Sequence, residues 1–322
     1  MVSRNSRAEK IYDMIVLGAG PAGLTAAIYG GRALMSTLVI EPKMVGGEIT
    51  LTDRLDNYPG FPEGIGGFEF GLLLEKQASR FGAEMVSIDV QAIEPLGEVK
   101  KVITSTGVYS GRTLVIATGT TPRTLGVPGE EAFSGRGISF CATCDAPFFR
   151  QKRAAVIGGG DAAVEEALYL SRFAEKVLLI HRRDTLRAVS SLRGKLMENP
   201  KVSFVGNTVV KEFKGDQKLE TIILQKVTDN SIEEVNVDGA FLYIGRLPSS
   251  GFVEGVEKDS QGYIITNEEM ETSLPGIFAA GDIRRKLLRQ VVTAASDGAV
   301  AATMALRYIE NPASPVTGKS GS

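Results

Sequence analysis

The fold is decided by the hexapeptide Gly18-Ala19-Gly20-Pro21-Ala22-Gly23, which follows the short apolar run 12–17. A stretch of small residues continues to about residue 32, and a second apolar run, 37–40, ends at Glu41. This is the pattern G-x-G-x-x-G at the first turn of a strand–helix–strand unit. Its glycines permit a tight turn, the approach of a pyrophosphate and close helix–strand packing. The segment predicts a dinucleotide site, and the alternative is a glycine-rich turn in another α/β fold.

The same pattern occurs a second time. The run 154–157 leads into Gly158-Gly159-Gly160-Asp161-Ala162-Ala163, and a helix is predicted from there to about residue 173. The following run, 177–180, ends at His181. Glu41 lies 23 residues after Gly18, and His181 lies 23 residues after Gly158. Two matches with the same spacing between the glycine turn and the end of the second strand predict two dinucleotide-binding domains of the Rossmann type.

The residues at the ends of the two second strands differ in charge. Glu41 is an acid that can accept a hydrogen bond from a ribose 2′-hydroxyl. The matching position of the second unit reads His181-Arg182-Arg183, with Arg187 nearby. Guanidinium groups bind phosphate oxygens in a bidentate manner, so the second site is predicted to hold the 2′-phosphate of NADPH. The alternative is a solvated cluster of charges at a strand end.

Two further strand-like segments end in small-residue turns, Ala117-Thr118-Gly119 and Gly281-Asp282, and a long helix is predicted over 290–309. The chain is therefore expected to leave the first domain near residue 120 and to return to it near residue 248. The predicted fold is α/β with two three-layer, Rossmann-like domains, the second inserted into the first. The predicted domains are 1–120 with 248–322, and 121–247, which carries both cysteines.

Composition excludes several classes of function. The 322 residues include 36 Lys and Arg against 38 Asp and Glu, which favours neither nucleic acid nor an anionic membrane as a partner. The apolar runs are strand-sized and too short to cross a bilayer. One histidine and two cysteines cannot form a four-ligand Cys/His zinc site. Residues 1–10 are polar and lack the pattern of a signal peptide, so a cytoplasmic location is expected.

The two cysteines lie in Cys141-Ala142-Thr143-Cys144 and form the only possible disulfide. A two-residue spacing in a cytoplasmic protein predicts a redox pair, and the alternative is two unrelated buried cysteines. Asp145 follows directly and is placed to exchange a proton with a thiol. Its alternative role is that of a turn or capping residue.

The order of these motifs, together with Arg289-Gln290, resembles the low-molecular-weight thioredoxin reductases from about residue 11 to residue 309. The resemblance implies FAD in the first domain, NADPH in the second, a homodimer, and reduction of thioredoxin or a thioredoxin-like protein. It also implies that Cys144 lies next to the flavin, that Cys141 attacks the partner disulfide, and that Asp145 is the acid–base residue. The predicted cofactor-binding residues are Gly18, Gly20, Pro21, Ala22, Gly23, Glu41, Gly47, Glu48, Asn57, Ala117, Thr118, Gly119, Gly158, Gly160, Asp161, Ala162, Ala163, His181, Arg182, Arg183, Arg187, Gly281, Asp282, Arg289, Gln290 and Val291.

The chain departs from the family pattern at three places. Glu48 stands where Gln is common, and Ala146-Pro147-Phe148 replaces Gly-Phe-Phe after the redox motif. On the partner-docking surface Arg136 matches a family arginine, whereas a second arginine has no counterpart near Leu73. Two alternatives follow from the motifs. The first is another enzyme, either an NAD(P)H oxidase or a reductase of a non-thioredoxin disulfide adaptor linked to a peroxiredoxin. The second is a redox sensor that binds flavin without turnover.

Overall fold

A computed structural model describes residues 10–52 and 54–311 of the chain. Two compact units are formed, one from residues 10–50, 58–121 and 247–311 and the other from 51–57 and 122–246, with Asp53 outside the described residues. The chain passes into the second unit after Thr121 and leaves it after Arg246. The structure groups residues 51–57 with the second unit, whereas the sequence motifs predict them in the first domain.

The helices and strands of the described residues are numbered in chain order. The α-helices are α1 (Pro21–Arg32), α2 (Gly67–Arg80), α3 (Ala142–Asp145), α4 (Asp161–Leu170), α5 (Ser190–Met197) and α6 (Val291–Glu310). The strands are β1 (Ile11–Leu17), β2 (Thr37–Ile40), β3 (Glu84–Val86), β4 (Val90–Glu94), β5 (Lys100–Thr104), β6 (Gly107–Ile116), β7 (Thr120–Pro122), β8 (Ile138–Ser139), β9 (Arg153–Gly158), β10 (Lys176–Ile180), β11 (Val202–Val205), β12 (Thr208–Gly215), β13 (Leu219–Lys226), β14 (Ile232–Asn236), β15 (Gly239–Tyr243), β16 (Arg246–Pro248) and β17 (Ile277–Ala279).

The first unit is built on a seven-stranded sheet in the order β3-β2-β1-β6-β5-β4, with β17 paired to β6. Strands β2, β1, β6 and β17 run parallel, so their carboxyl ends lie at one edge. Side chains alternate along β1: Met14 and Val16 pack under α1 and α6, and Ile15 and Leu17 pack in a second core on the other face. Both faces of the sheet are therefore covered, which gives three layers.

Helices α1 and α6 pack through small residues, which lets their backbones approach closely. A β-carbon added at Gly298 of α6 would lie 2.1 Å from the carbonyl oxygen of Ala22 and 3.0 Å from the backbone nitrogen of Ala26, both in α1. Because α1 begins at the first glycine turn, this contact fixes the turn against α6.

The second unit has a five-stranded, wholly parallel sheet in the order β11-β10-β9-β15-β8. Ala154 and Val156 of β9 face α4 and α5. Ala155 and Ile157 face the other way and pack on the antiparallel sheet β12-β13-β14. The third layer is thus a small sheet instead of helices. The predicted α/β class with two Rossmann-like units is confirmed.

The α1–α6 contact generates a prediction. Gly298→Ala should destabilise the protein by about 1–3 kcal/mol, because the added methyl group overpacks a backbone contact. A suitable control is Gly194→Ala in α5, where an added β-carbon meets nothing within 4 Å. That change should be neutral or stabilise by about 0.5–1 kcal/mol. Chemical unfolding of the three proteins provides the measurement, and a Gly298→Ala protein as stable as the parent would contradict the prediction.

Candidate functional site

The first glycine turn connects β1 to α1, and its three glycines have different surroundings. A β-carbon at Gly18 would lie 2.5 Å from the carbonyl oxygen of Ala117, and one at Gly23 would lie 1.9 Å from the carbonyl oxygen of Gly18. Both positions are closed by the fold itself. At Gly20 the nearest atom would be 4.0 Å away. Only the middle glycine leaves its backbone open to a ligand, as binding of a pyrophosphate requires.

The predicted acid of the first site lies against this turn. Glu41 follows β2 and accepts a hydrogen bond from the N–H of Ala19 (2.8 Å). The Gly46 N–H donates to the carbonyl oxygen of Ala19 (2.8 Å), and a β-carbon at Gly47 would lie 3.1 Å from the α-carbon of Gly20. The structure therefore brings Glu41 and Gly47 to the glycine turn, and Glu48 follows in the short 3₁₀ helix Gly47–Leu51.

Two more predicted segments reach the same edge of the first sheet. Ala117 follows β6 and touches Gly18, and the Thr118 hydroxyl donates to the carbonyl oxygen of Ser249 (2.9 Å). Gly281 follows β17 with φ +78°, and a β-carbon there would lie 2.8 Å from that of Ala22. The turns that follow β1, β6 and β17 thus converge where a ligand binds in open α/β sheets.

Asp297 of α6, which sequence reasoning missed, holds the Gly281 turn. Its Oδ2 accepts hydrogen bonds from the N–H of Gly281 (3.0 Å) and from Lys286 Nζ (2.7 Å). Its Oδ1 accepts one from Arg284 Nη1 (3.0 Å). The carboxylate is almost fully buried, at 7% exposure. Two cations and a backbone donor compensate the desolvation of this carboxylate, so its buried negative charge is neutralised by its partners.

The remaining predicted residues of the first site are spread more widely. Gln290 caps α6 in a reciprocal arrangement with Thr293. The Arg289 guanidinium lies 4.4 Å from the centre of the Tyr263 ring. Asn57 is exposed and belongs to the segment grouped with the second unit. Its predicted role in binding the cofactor stays a prediction.

The second glycine turn, between β9 and α4, repeats the arrangement of the first. A β-carbon at Gly158 would lie 2.5 Å from the carbonyl oxygen of Tyr243 and 2.7 Å from the β-carbon of Ala163. Gly160 would meet nothing within 4 Å. The Asp161 carboxylate, at the start of α4, accepts a hydrogen bond from the N–H of Val189 (2.8 Å). Gly160, which corresponds to Gly20 of the first turn, is therefore open to a ligand.

His181 packs its ring on this turn. A β-carbon at Gly159 would lie 2.4 Å from its Nδ1, and the residue is 6% exposed. Burial, and then the positive charges of Arg187, Arg182 and Arg183, lower the pKa of His181, so the imidazole is neutral at pH 7. The histidine therefore fills space and adds no charge to the predicted phosphate site.

The loop after His181 presents the predicted arginines next to the glycine turn. The Arg187 N–H donates to the carbonyl oxygen of Gly159 (2.7 Å), which ties the loop to the turn. Arg182, Arg183 and Arg187 are exposed, and within the described part of the chain none of them forms an ion pair. Three guanidinium groups are thus presented to solvent beside an open glycine.

The redox motif starts where β8 ends, at the same sheet edge. Cys141 is disulfide-bonded, and the chain has one other cysteine, Cys144. The Ser139 hydroxyl donates to Asp145 Oδ2 (2.6 Å) and accepts a hydrogen bond from the N–H of Cys141 (3.1 Å). Ser139, a residue that carried no sequence signal, therefore holds Asp145 beside the backbone of the first cysteine.

A buried pair of side chains reaches the peptide between the cysteines. The N–H of Ala142, a fully buried residue, donates to the hydroxyl oxygen of Tyr243 (2.7 Å). The Tyr243 hydroxyl also lies close to the carboxyl group of Glu166 in α4, and the two groups influence each other's pKa. Burial raises the pKa of Glu166 to about 7, against the lowering effect of the Tyr243 hydrogen bond, and the charge of Glu165 adds to the rise. Burial likewise raises the pKa of Tyr243.

Comparisons with known proteins give one consistent result. A family model for pyridine nucleotide-disulphide oxidoreductases matches residues 12–298. The thioredoxin reductase of Treponema pallidum (strain Nichols) is 47% identical over 302 residues, which are 94% of this chain and 98% of that protein. The one from Bacillus subtilis (strain 168) is 46% identical over 304 residues, with 94% and 96% covered.

A solved structure extends this similarity to three dimensions. The crystal structure of thioredoxin reductase from Streptococcus pyogenes MGAS5005 matches with a TM-score of 0.90 at 43% identity. The match covers 94% of this chain and 100% of that one. Among the described residues, no helix has the length and apolar character of a membrane span, and no group of three or more His, Cys, Asp or Glu side chains is arranged to hold a metal ion.

The raised pKa of Glu166 can be measured directly. Infrared difference spectra between the parent and Glu166→Gln should show a protonated carboxyl band that persists above the ordinary pKa of 4.5 and disappears near pH 7. Tyr243→Phe should move the loss of this band to higher pH, because the Tyr243 hydrogen bond lowers the pKa. A band that disappears already near pH 4.5 would contradict the prediction.

Proposed function

Because the chain belongs to the pyridine nucleotide-disulphide oxidoreductases and, within them, to the thioredoxin reductase family, we propose that it is an enzyme that uses NADPH and FAD to reduce thioredoxin. Membership of the family confirms the resemblance seen in the motifs. One observation carries the proposal: the disulfide-bonded Cys141 and the open glycine turn of a nucleotide site lie at one edge of one sheet.

The two turns fit the two cofactors. In the first unit, Gly20 is open and Glu41 supplies an acceptor for a ribose hydroxyl, which fits FAD. In the second, Gly160 is open and Arg182, Arg183 and Arg187 supply positive charge, which fits the 2′-phosphate of NADPH. When bound, FAD supplies the hydride chemistry, in which it accepts two electrons from NADPH and passes them to a disulfide.

The chain's own residues carry out the thiol chemistry. The Cys141–Cys144 disulfide takes up two electrons and two protons, its S–S bond breaks, and two thiols result. The thiolate of Cys141 then attacks the partner disulfide to form a mixed disulfide, and Cys144 displaces the partner as a dithiol. Asp145, held by Ser139, exchanges the proton that these steps require.

The proposed partner, oligomeric state and location rest on the family resemblance, and the proposed docking contact also rests on an exposed arginine. A thioredoxin-like protein is the proposed partner, and Arg136, which is exposed, is proposed to contact it. The protein is proposed to act as a homodimer in the cytoplasm. Turnover with oxygen as the only acceptor would instead indicate an NAD(P)H oxidase, and flavin binding without turnover would indicate a sensor.

Loss of either thiol should separate the two half-reactions. Cys141→Ser and Cys144→Ser should both abolish NADPH-dependent reduction of thioredoxin, because each removes one half of the only dithiol. NADPH should still bleach the flavin absorbance in both variants, since hydride transfer precedes the thiol steps. Anaerobic stopped-flow absorbance and an insulin-coupled thioredoxin assay measure the two reactions. Full thioredoxin reduction by either variant would refute the assigned electron route.

The arginines should set the choice of nicotinamide cofactor. Arg182→Ala with Arg183→Ala should raise the KM for NADPH by roughly tenfold to a hundredfold for each arginine–phosphate hydrogen bond removed. The KM for NADH should change little, because NADH has no 2′-phosphate. Arg150→Ala, which removes an exposed arginine outside this loop, is the control. An equal rise in KM for both cofactors would assign the arginines a structural role.

A further inference from the structure

One peptide N–H of the redox motif depends on a side chain distant in sequence. Ala142 is the first residue of α3, so its N–H has no partner within that helix. The residue is completely buried, which excludes water as a substitute. Its partner is the hydroxyl oxygen of Tyr243, 2.7 Å away and 101 residues later. The position of the Cys141–Ala142 peptide is therefore tied to one phenolic oxygen.

Tyr243 is itself fixed from two directions. Its backbone, at the end of β15, pairs with Gly158, the first glycine of the second turn. Its hydroxyl lies close enough to the carboxyl group of Glu166, in the middle of α4, for each group to influence the pKa of the other. Accepting from Ala142 uses one lone pair of the hydroxyl and leaves its O–H to donate to the Glu166 carboxyl group. The tyrosine thus connects the nucleotide turn to the cysteine turn.

We propose that Tyr243 and Glu166 are positioning residues of the redox centre, which hold the Cys141–Ala142 peptide in its disulfide conformation and thereby set how readily the disulfide is reduced. The inference rests on the proposed function, in which Cys141 and Cys144 are the redox pair. Tyr243 acts on the peptide directly, and Glu166 acts through Tyr243 by orienting its hydroxyl. Neither residue carries a sequence motif, and the proposed role requires no contact of either with a sulfur atom.

The direction of the effect follows from the state in which the bond is made. The bond is present with Cys141 disulfide-bonded. The proposal requires it to be weaker in the dithiol, because a bond of equal strength in both forms would not move the equilibrium. Reduction by dithiothreitol breaks the S–S bond, transfers two electrons and two protons to the protein, and leaves dithiothreitol as its cyclic disulfide. Loss of the hydroxyl leaves a buried N–H unpaired in the oxidised form. The equilibrium should then move toward the dithiol.

The test uses the full protein with its FAD, equilibrated anaerobically in graded mixtures of reduced and oxidised dithiothreitol. Alkylation of free thiols followed by mass spectrometry counts dithiol and disulfide. Tyr243→Phe should raise the dithiol-to-disulfide ratio about tenfold, which corresponds to a potential about 30 mV more positive. Glu166→Gln should shift it in the same direction by a smaller factor, and the double variant should match Tyr243→Phe alone. Tyr169→Phe is the control, because this tyrosine lies on α4 and packs its ring on Phe173.

Each outcome is decisive for the proposal. An unchanged ratio in folded Tyr243→Phe, a shift toward the disulfide, or an equal shift in Tyr169→Phe would overturn it. If Tyr243→Phe does not fold, the Glu166→Gln shift decides the question in the same way. The assay needs neither NADPH nor thioredoxin, so a shifted ratio in a protein that does not reduce thioredoxin would remove the proposed function and leave the positioning role intact.

Discussion

The close approach of a glycine turn to a neighbouring backbone carbonyl is the constraint on which both units depend. At Gly18 the carbonyl belongs to Ala117, and at Gly158 it belongs to Tyr243. A β-carbon at either place would separate the first strand of the unit from the strand beside it. Everything at the carboxyl edge is then positioned relative to these contacts: the Gly281 turn in the first unit and the redox motif in the second.

The charged residues near the two glycine turns differ in burial and in pairing. In the first, a buried carboxylate, Asp297, is paired with two cations and fixes the backbone of Gly281. In the second, the exposed arginines of the loop after His181 are left to meet a ligand, and the buried side chain beside them is a neutral imidazole. A buried ion pair holds its groups in place, because moving one partner away would leave an uncompensated charge in the interior. Unpaired surface cations instead favour an anionic ligand.

Sequence reasoning succeeded where the signal was local and failed where it depended on distant contacts. The strands and helix around Gly18 follow from apolar runs and glycine spacing, and β2 and α1 lie where the sequence predicts them. Helix α4 ends at Leu170, about three residues before the predicted end, in a turn that no motif marks. The layer β12-β13-β14 was missed because its strands carry no chemical motif. The bonds of Tyr243 and Asp297 join residues far apart in the chain, which composition and spacing do not reveal.

The packing of His181 on Gly159 restricts which residues the two positions can hold together. With the ring in place, a side chain at position 159 would collide with it, so the histidine imposes glycine at a position that the nucleotide itself does not require to be glycine. The residues at the two positions are therefore coupled in this chain. A larger residue at 159 would fit only if the ring at 181 were replaced by a smaller side chain or displaced.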